Sequence, residues 1–123
     1  MSVLLIPPYR EQFGIPILAV TNLKAFVFTD YAGNPSPAAV GGWGVPLMDA
    51  SAGTEVRVVT QGIVPVLVGA NFASILPNQL IEADAAGCAT PHVAGVPRGR
   101  TLPSLGSVEA GSYIQIVLLP ANV

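Results

Sequence analysis

The clearest signal along the chain is alternation. In Thr54-Glu55-Val56-Arg57-Val58-Val59-Thr60, Val56 and Val58 fall on one face and Glu55 and Arg57 on the other, the period of a half-buried strand. Tyr113-Ile114-Gln115-Ile116-Val117-Leu118-Leu119 is a second such stretch, and Pro120 ends it. Ile63–Val68 is apolar on both faces, which predicts a strand that is central in its sheet or covered by a neighbour. Gln79–Ala83 reads as a short strand. The longest stretch free of glycine and proline runs from Ile17 to Ala32, and Asn22 breaks its apolar pattern. Because Lys24–Thr29 is β-branched and aromatic, two strands, Ile17–Val20 and Ala25–Thr29, are predicted there ahead of a helix.

Twelve prolines cut the chain into pieces mostly too short for a packed helix. Turn signals separate the strands: Gly33-Asn34-Pro35-Ser36-Pro37, Ala52-Gly53, Gln61-Gly62, Ala86-Gly87 and Pro97-Arg98-Gly99. Many short strands between turns predict an all-β fold, a small antiparallel β-sandwich or barrel-like domain with an extended N-terminal segment. There is also an internal echo. Ala52-Gly53-Thr54-Glu55-Val56-Arg57-Val58-Val59 matches Ala110-Gly111-Ser112-Tyr113-Ile114-Gln115-Ile116-Val117 class by class, either as shared hairpin chemistry or as a duplicated unit in which each glycine supplies a positive-φ turn.

Composition sharpens this picture. At 123 residues the chain is one domain, 1–123, within which residues 1–15 are an N-terminal arm or a first strand. Only 10% of residues are charged and 51% are hydrophobic, which predicts that part of the surface is covered by other subunits. The mean hydropathy of +0.61 invites a membrane reading. The apolar run beginning at Ile63 is too short for a spanning helix and contains Pro65, and the start of the chain lacks the cationic region of a signal peptide. A net charge of -2 with five scattered cations argues against a nucleic-acid partner. One cysteine excludes an intrachain disulfide, and one histidine excludes a His-based metal site.

Candidate chemistry is sparse. His92, in Thr90-Pro91-His92-Val93, reads as a solvated loop residue; a triad would need it with Asp84 and a serine, and no Gly-x-Ser-x-Gly elbow is present. Cys88 reads as a small, partly buried hydrophobe, and Asp49 and Asp84 as turn formers that cap their own backbone. The glycine-rich run Val40-Gly41-Gly42-Trp43-Gly44-Val45 is followed by no Lys-Ser/Thr, so it suits a bulged strand or a tight backbone approach rather than a phosphate loop. Trp43 itself reads as a core residue, a ligand-stacking platform or an interface anchor. No catalytic residue, cofactor or metal site is expected.

Gly44–Val66, then Glu82–Ala89, then Leu105–Leu119 form an ordered series: Gly-Val, Ala-Gly opening an alternating valine strand, Pro-Val, Asp-Ala-Ala-Gly, and a closing Ala-Gly before an Ile/Val strand. This series, within residues 38–119, resembles the small capsid decoration, or cement, proteins of tailed bacteriophages. Arg100-Thr101-Leu102-Pro103-Ser104-Leu105-Gly106 departs from the family's step before the last turn. The resemblance implies a β-domain on the outer surface of a phage head that clamps neighbouring capsomers. Its partners would be the major capsid protein and copies of itself, a trimer first, with no nucleic acid and no membrane. The contact residues expected are Val3, Leu4, Leu5 and Ile6, four consecutive apolar residues at an exposed terminus that the resemblance does not reach, with Tyr9 beside them and Trp43 as an interface anchor. Rival readings are a ligand- or carbohydrate-binding β-module built around Trp43 and Tyr31, and a small hydrolase using His92.

Overall fold

The computed structural model describes residues 13–35, 43–70, 75–93, 95–106, 108, 109 and 111–119. Nine strands are described: β1 Phe13–Leu18, β2 Thr29–Asp30, β3 Trp43–Pro46, β4 Glu55–Gln61, β5 Ile63–Leu67, β6 Leu80–Ala83, β7 Ala89–Pro91, β8 Gly99–Thr101 and β9 Tyr113–Leu118. They form two sheets, of order β1-β4-β3-β2 and β5-β9-β8-β6-β7, and every neighbouring pair is antiparallel. The chain passes from one sheet to the other at Gly62, between β4 and β5. The second sheet curls toward closure, because Val68 just past β5 makes an isolated parallel bridge with Ala89 at the start of β7. The fold is all-β and sandwich-like, as the turn-separated strands predict.

The core lies between the sheets. Trp43, Val45 and Val59 come from the first sheet; Val64, Val66, Ile81, Ala89, Ile114, Ile116 and Leu118 come from the second. β9 alternates as its sequence requires, with Ile114, Ile116 and Leu118 buried and Tyr113, Gln115 and Val117 exposed. β4 does the same at its start, with Val56 and Val58 inside. Those two valines serve a smaller cluster on the other face of the first sheet, with Ile17, Ala19 and Leu23, while Val59 points into the main core.

Three expectations are corrected. The predicted strand Ala25–Thr29 is a turn, and only Thr29 and Asp30 are strand. Phe26 takes a left-handed φ of 66°, held by its N–H donating to the Pro46 carbonyl at 2.8 Å. Val27 and Phe28 are buried there, so their apolar character reflects the core and not a pleat. The predicted strand Ile17–Val20 is displaced toward the N-terminus, to Phe13–Leu18, where Pro16 is tolerated because β1 is an edge strand. Ile63–Val68 is not central in its sheet, and of its two readings only cover by a neighbour holds, at the C-terminal end where Val68 bridges Ala89. β5 ends its sheet, Pro65 has no N–H to offer outward, and the Leu67 N–H donates to the Phe26 carbonyl at 2.8 Å.

The internal echo has a structural counterpart. Gly53 (φ 88°) and Gly111 (φ 72°) both sit in the left-handed region, each one residue before a hydroxyl that closes the turn. Thr54 Oγ1 donates to the Ser51 carbonyl at 2.6 Å, and Ser112 Oγ donates to the Glu109 carbonyl at the same distance. Each turn launches an interior strand of its own sheet, β4 or β9. No atom lies within 4 Å of a Cβ built at Gly53 or Gly111, so only backbone conformation opposes a side chain there. Gly53→Ala and Gly111→Ala should each cost about 1–2 kcal/mol in urea unfolding, and asparagine should recover part of it. Gly87→Ala should cost more, because its Cβ would fall 2.6 Å from Val27 Cγ1 and 2.8 Å from the Phe28 carbonyl oxygen.

Candidate functional site

The most unusual side chain in the interior is one that its sequence setting conceals. Arg98, in Pro97-Arg98-Gly99, looks like a turn residue, yet it is 1% exposed. Its backbone is held on both sides, the N–H donating to the Ile81 carbonyl at 2.7 Å and the carbonyl accepting from the Leu119 N–H at 3.0 Å. The guanidinium carbon lies 4.8 Å from the Trp43 ring centroid and 5.5 Å from that of Phe28, within cation–π range of both. Burial lowers the guanidinium pKa to about 10, opposed by the charges of Asp30 and Glu82, so the group stays cationic near neutral pH.

This geometry relocates Trp43. At 3% exposure, with a guanidinium over its ring, it offers neither the open face a sugar would stack on nor a surface anchor for another chain. A Cβ at the neighbouring Gly44 would fall 2.8 Å from both Val58 Cγ2 and the Val59 carbonyl, so the glycine permits the tight approach of β3 to β4. The other expected contact residues, Val3, Leu4, Leu5, Ile6 and Tyr9, lie outside the described residues.

The polar groups brought together serve loops. Glu82 Oε1 accepts from the N–H groups of Val93 (2.7 Å) and Gly95 (3.0 Å), and His92 Nδ1 lies 3.0 Å from the same oxygen. His92 therefore has a partner, contrary to its reading as a solvated loop residue, and the partner is Glu82 rather than Asp84. Asp84 Oδ1 is occupied by its own turn, accepting from the N–H groups of Ala86 and Cys88 at 2.9 Å each. Asp49 differs from expectation, since Oδ1 accepts from Ala25 N–H at 2.8 Å, across the fold and not in its own turn. Burial, with Asp84 adding to it, raises the Cys88 thiol above its ordinary pKa. Among the described residues no group of three His, Cys, Asp or Glu is placed to hold a metal ion, and no helix is long and apolar enough to cross a membrane.

What the molecule does present is an apolar face. On the outward side of the β5–β9 ladder, Ile63 pairs with Val117, Pro65 with Gln115 and Leu67 with Tyr113. Opposed residues share a face, so five of these six are apolar or aromatic and none is charged. Ile63, Tyr113 and Val117 are 36%, 52% and 40% exposed. The Phe26 ring meets Tyr113 edge-on, with centroids 5.1 Å apart. A hollow of about 380 Å³ adjoins, lined by Leu102, Ser104, Leu105, Gly106, Tyr113 and Gln115.

No family model matches the chain, and no curated protein matches it. A solved structure does. The crystal structure of the head fiber gp8.5 N base of bacteriophage phi29 superposes with a TM-score of 0.64, covering 91% of this chain and 98% of that chain. Sequence identity is 15%, so the likeness is one of fold.

Two outcomes follow from the interior. Trp43→Ala should cost about 3–5 kcal/mol in urea unfolding, while Arg98→Met, which keeps the packing without the charge, should cost less than Arg98→Ala. In the folded protein Cys88 should react with iodoacetamide at pH 7.5 several-fold more slowly than in urea, because burial lowers its already small thiolate fraction.

Proposed function

We propose that this chain is a structural protein of a tailed-phage head, seated on the outer surface of the capsid, where it binds neighbouring capsomers and stabilises the shell. The observation that carries the reading is the likeness of fold to a phage head fiber base, which extends over nearly all of both chains. The ordered Gly/Ala/Val series within residues 38–119 supports the same class independently of the fold. The absence of charge on the β5–β9 face suits a surface that functions when covered. In this reading the partners are the major capsid protein and further copies of the chain, arranged as a trimer. The protein acts by contact and not by catalysis, and uses no cofactor, metal, nucleic acid or membrane.

The N-terminal segment belongs to the same proposal. Ser2-Val3-Leu4-Leu5-Ile6-Pro7-Pro8-Tyr9-Arg10 carries four consecutive apolar residues followed by a proline pair that favours an extended path. Burying Val3, Leu4, Leu5 and Ile6 against a capsomer or a sister copy would remove roughly 300–400 Å² of apolar surface, equivalent to several kcal/mol before ordering costs.

The test is co-sedimentation with empty heads that lack this protein. Saturable binding, with heads that withstand heating better once loaded, is the expected result; no binding at micromolar concentration contradicts the reading. Deleting residues 2–8 should leave the melting temperature unchanged and weaken binding to the heads. A truncated chain that unfolds instead would make the segment part of the core.

A further inference from the structure

We propose that the outward face of the β5–β9 ladder is the docking site for an extended, uncharged, apolar segment of the head-shell protein. This rests on the phage-head reading and names the surface that reading uses. Three observations fix the kind of occupant.

The first is area. Two strands about 4.8 Å apart and five paired residues long present a flat face on the order of 200 Å². A stable contact between globular partners takes about 800 Å² from each. The face is therefore too small to seat a second copy as a body, and matches a single extended segment laid along the strands. The adjoining hollow beside Tyr113 and Leu105 can receive one larger side chain of that segment.

The second observation is charge. The paired rows Ile63–Val117, Pro65–Gln115 and Leu67–Tyr113 contain no ionisable carboxylate or amine, and Arg100, which pairs with Val117 from β8, stands at the margin. A charged segment would be desolvated on this face without a partner, whereas an apolar one would not. The edge of β5 is closed to strand addition along much of its length, since Pro65 lacks an N–H and Leu67 donates to Phe26. Binding therefore runs through side chains across the face and not through backbone pairing at its edge.

The third is strain. Phe26 keeps a φ of 66°, a conformation a bulky side chain rarely adopts. Its N–H and carbonyl are tied to Pro46 and Leu67, and the conformation places its ring against Tyr113 on this face. Strain of this kind is retained where the surrounding structure over-determines it, and such positions cluster at ligand clamps.

The experiment uses the full chain with the photoreactive residue benzoylphenylalanine placed at Tyr113, irradiated with empty heads. The expected product is an adduct to the shell protein, mapping to an uncharged apolar stretch. In parallel, Val117→Lys should weaken head binding about tenfold, as placing a charge in an apolar contact does, while Val93→Lys leaves it unchanged. Ile63→Thr is a milder second variant, and melting temperatures establish that each is folded. An adduct to a second copy, or to residues 1–12 of this chain, overturns the proposal. Full binding by Val117→Lys without an adduct also overturns it and leaves the phage-head reading standing. Unmodified protein that does not bind heads overturns both.

Discussion

The two sheets are joined through a buried cation. Arg98 enters from just ahead of β8 in the second sheet, and the rings it meets belong to the first: Phe28 just ahead of β2, and Trp43 at the start of β3. Withdrawing a guanidinium from water costs several kcal/mol, and the two ring faces offset part of that cost only when the sheets pack in this arrangement. Asp30 and Glu82 act on the same charge, and Glu82 also accepts from the backbone N–H groups of Val93 and Gly95. One residue thus links the sheet interface to the loop that precedes β8. Around it the valines and isoleucines of β4, β5 and β9 close the core.

How much of this was legible in the sequence depends on where each residue's character comes from. β4, β5, β6 and β9 were legible because alternation, or a short apolar run between turns, is set by burial on a pleated surface. The paired turns at Gly53 and Gly111 were legible because a left-handed position before a strand calls for glycine. β7 and β8, three residues each, were not, since Ala89–Pro91 and Gly99–Thr101 are too short to show a period. Ala25–Thr29 misled because Val27 and Phe28 are apolar for the core, while Phe26 reverses the chain. The edge position of β5 depends on strand order, which local pattern does not encode.

The candidate site was less legible than the fold. Trp43 was visible as a singular residue, but its covering by Arg98 depends on a contact 55 positions away. Arg98 carries no local signal, because a cation beside proline and glycine reads as a turn. The apolar face was half visible: Tyr113, Gln115 and Val117 share a face by alternation, but their pairing with Leu67, Pro65 and Ile63 is a matter of register. The chain and the phi29 head fiber base share an architecture at 15% identity, a separation at which the pattern of burial can persist while most individual side chains change.

A dearth of charge, an interior that holds a buried arginine, and an apolar face left on the outside are the features on which the proposed covering of this surface by another chain rests. The most direct measurement of that covering would be a cryo-electron microscopy difference map between empty heads with and without saturating protein. Added density on the outer surface, repeated at equivalent junctions between capsomers and fitting this two-sheet fold with the β5–β9 face toward the shell, is the expected result. Identical maps at saturating protein, or density confined to the inside of the shell, would contradict it.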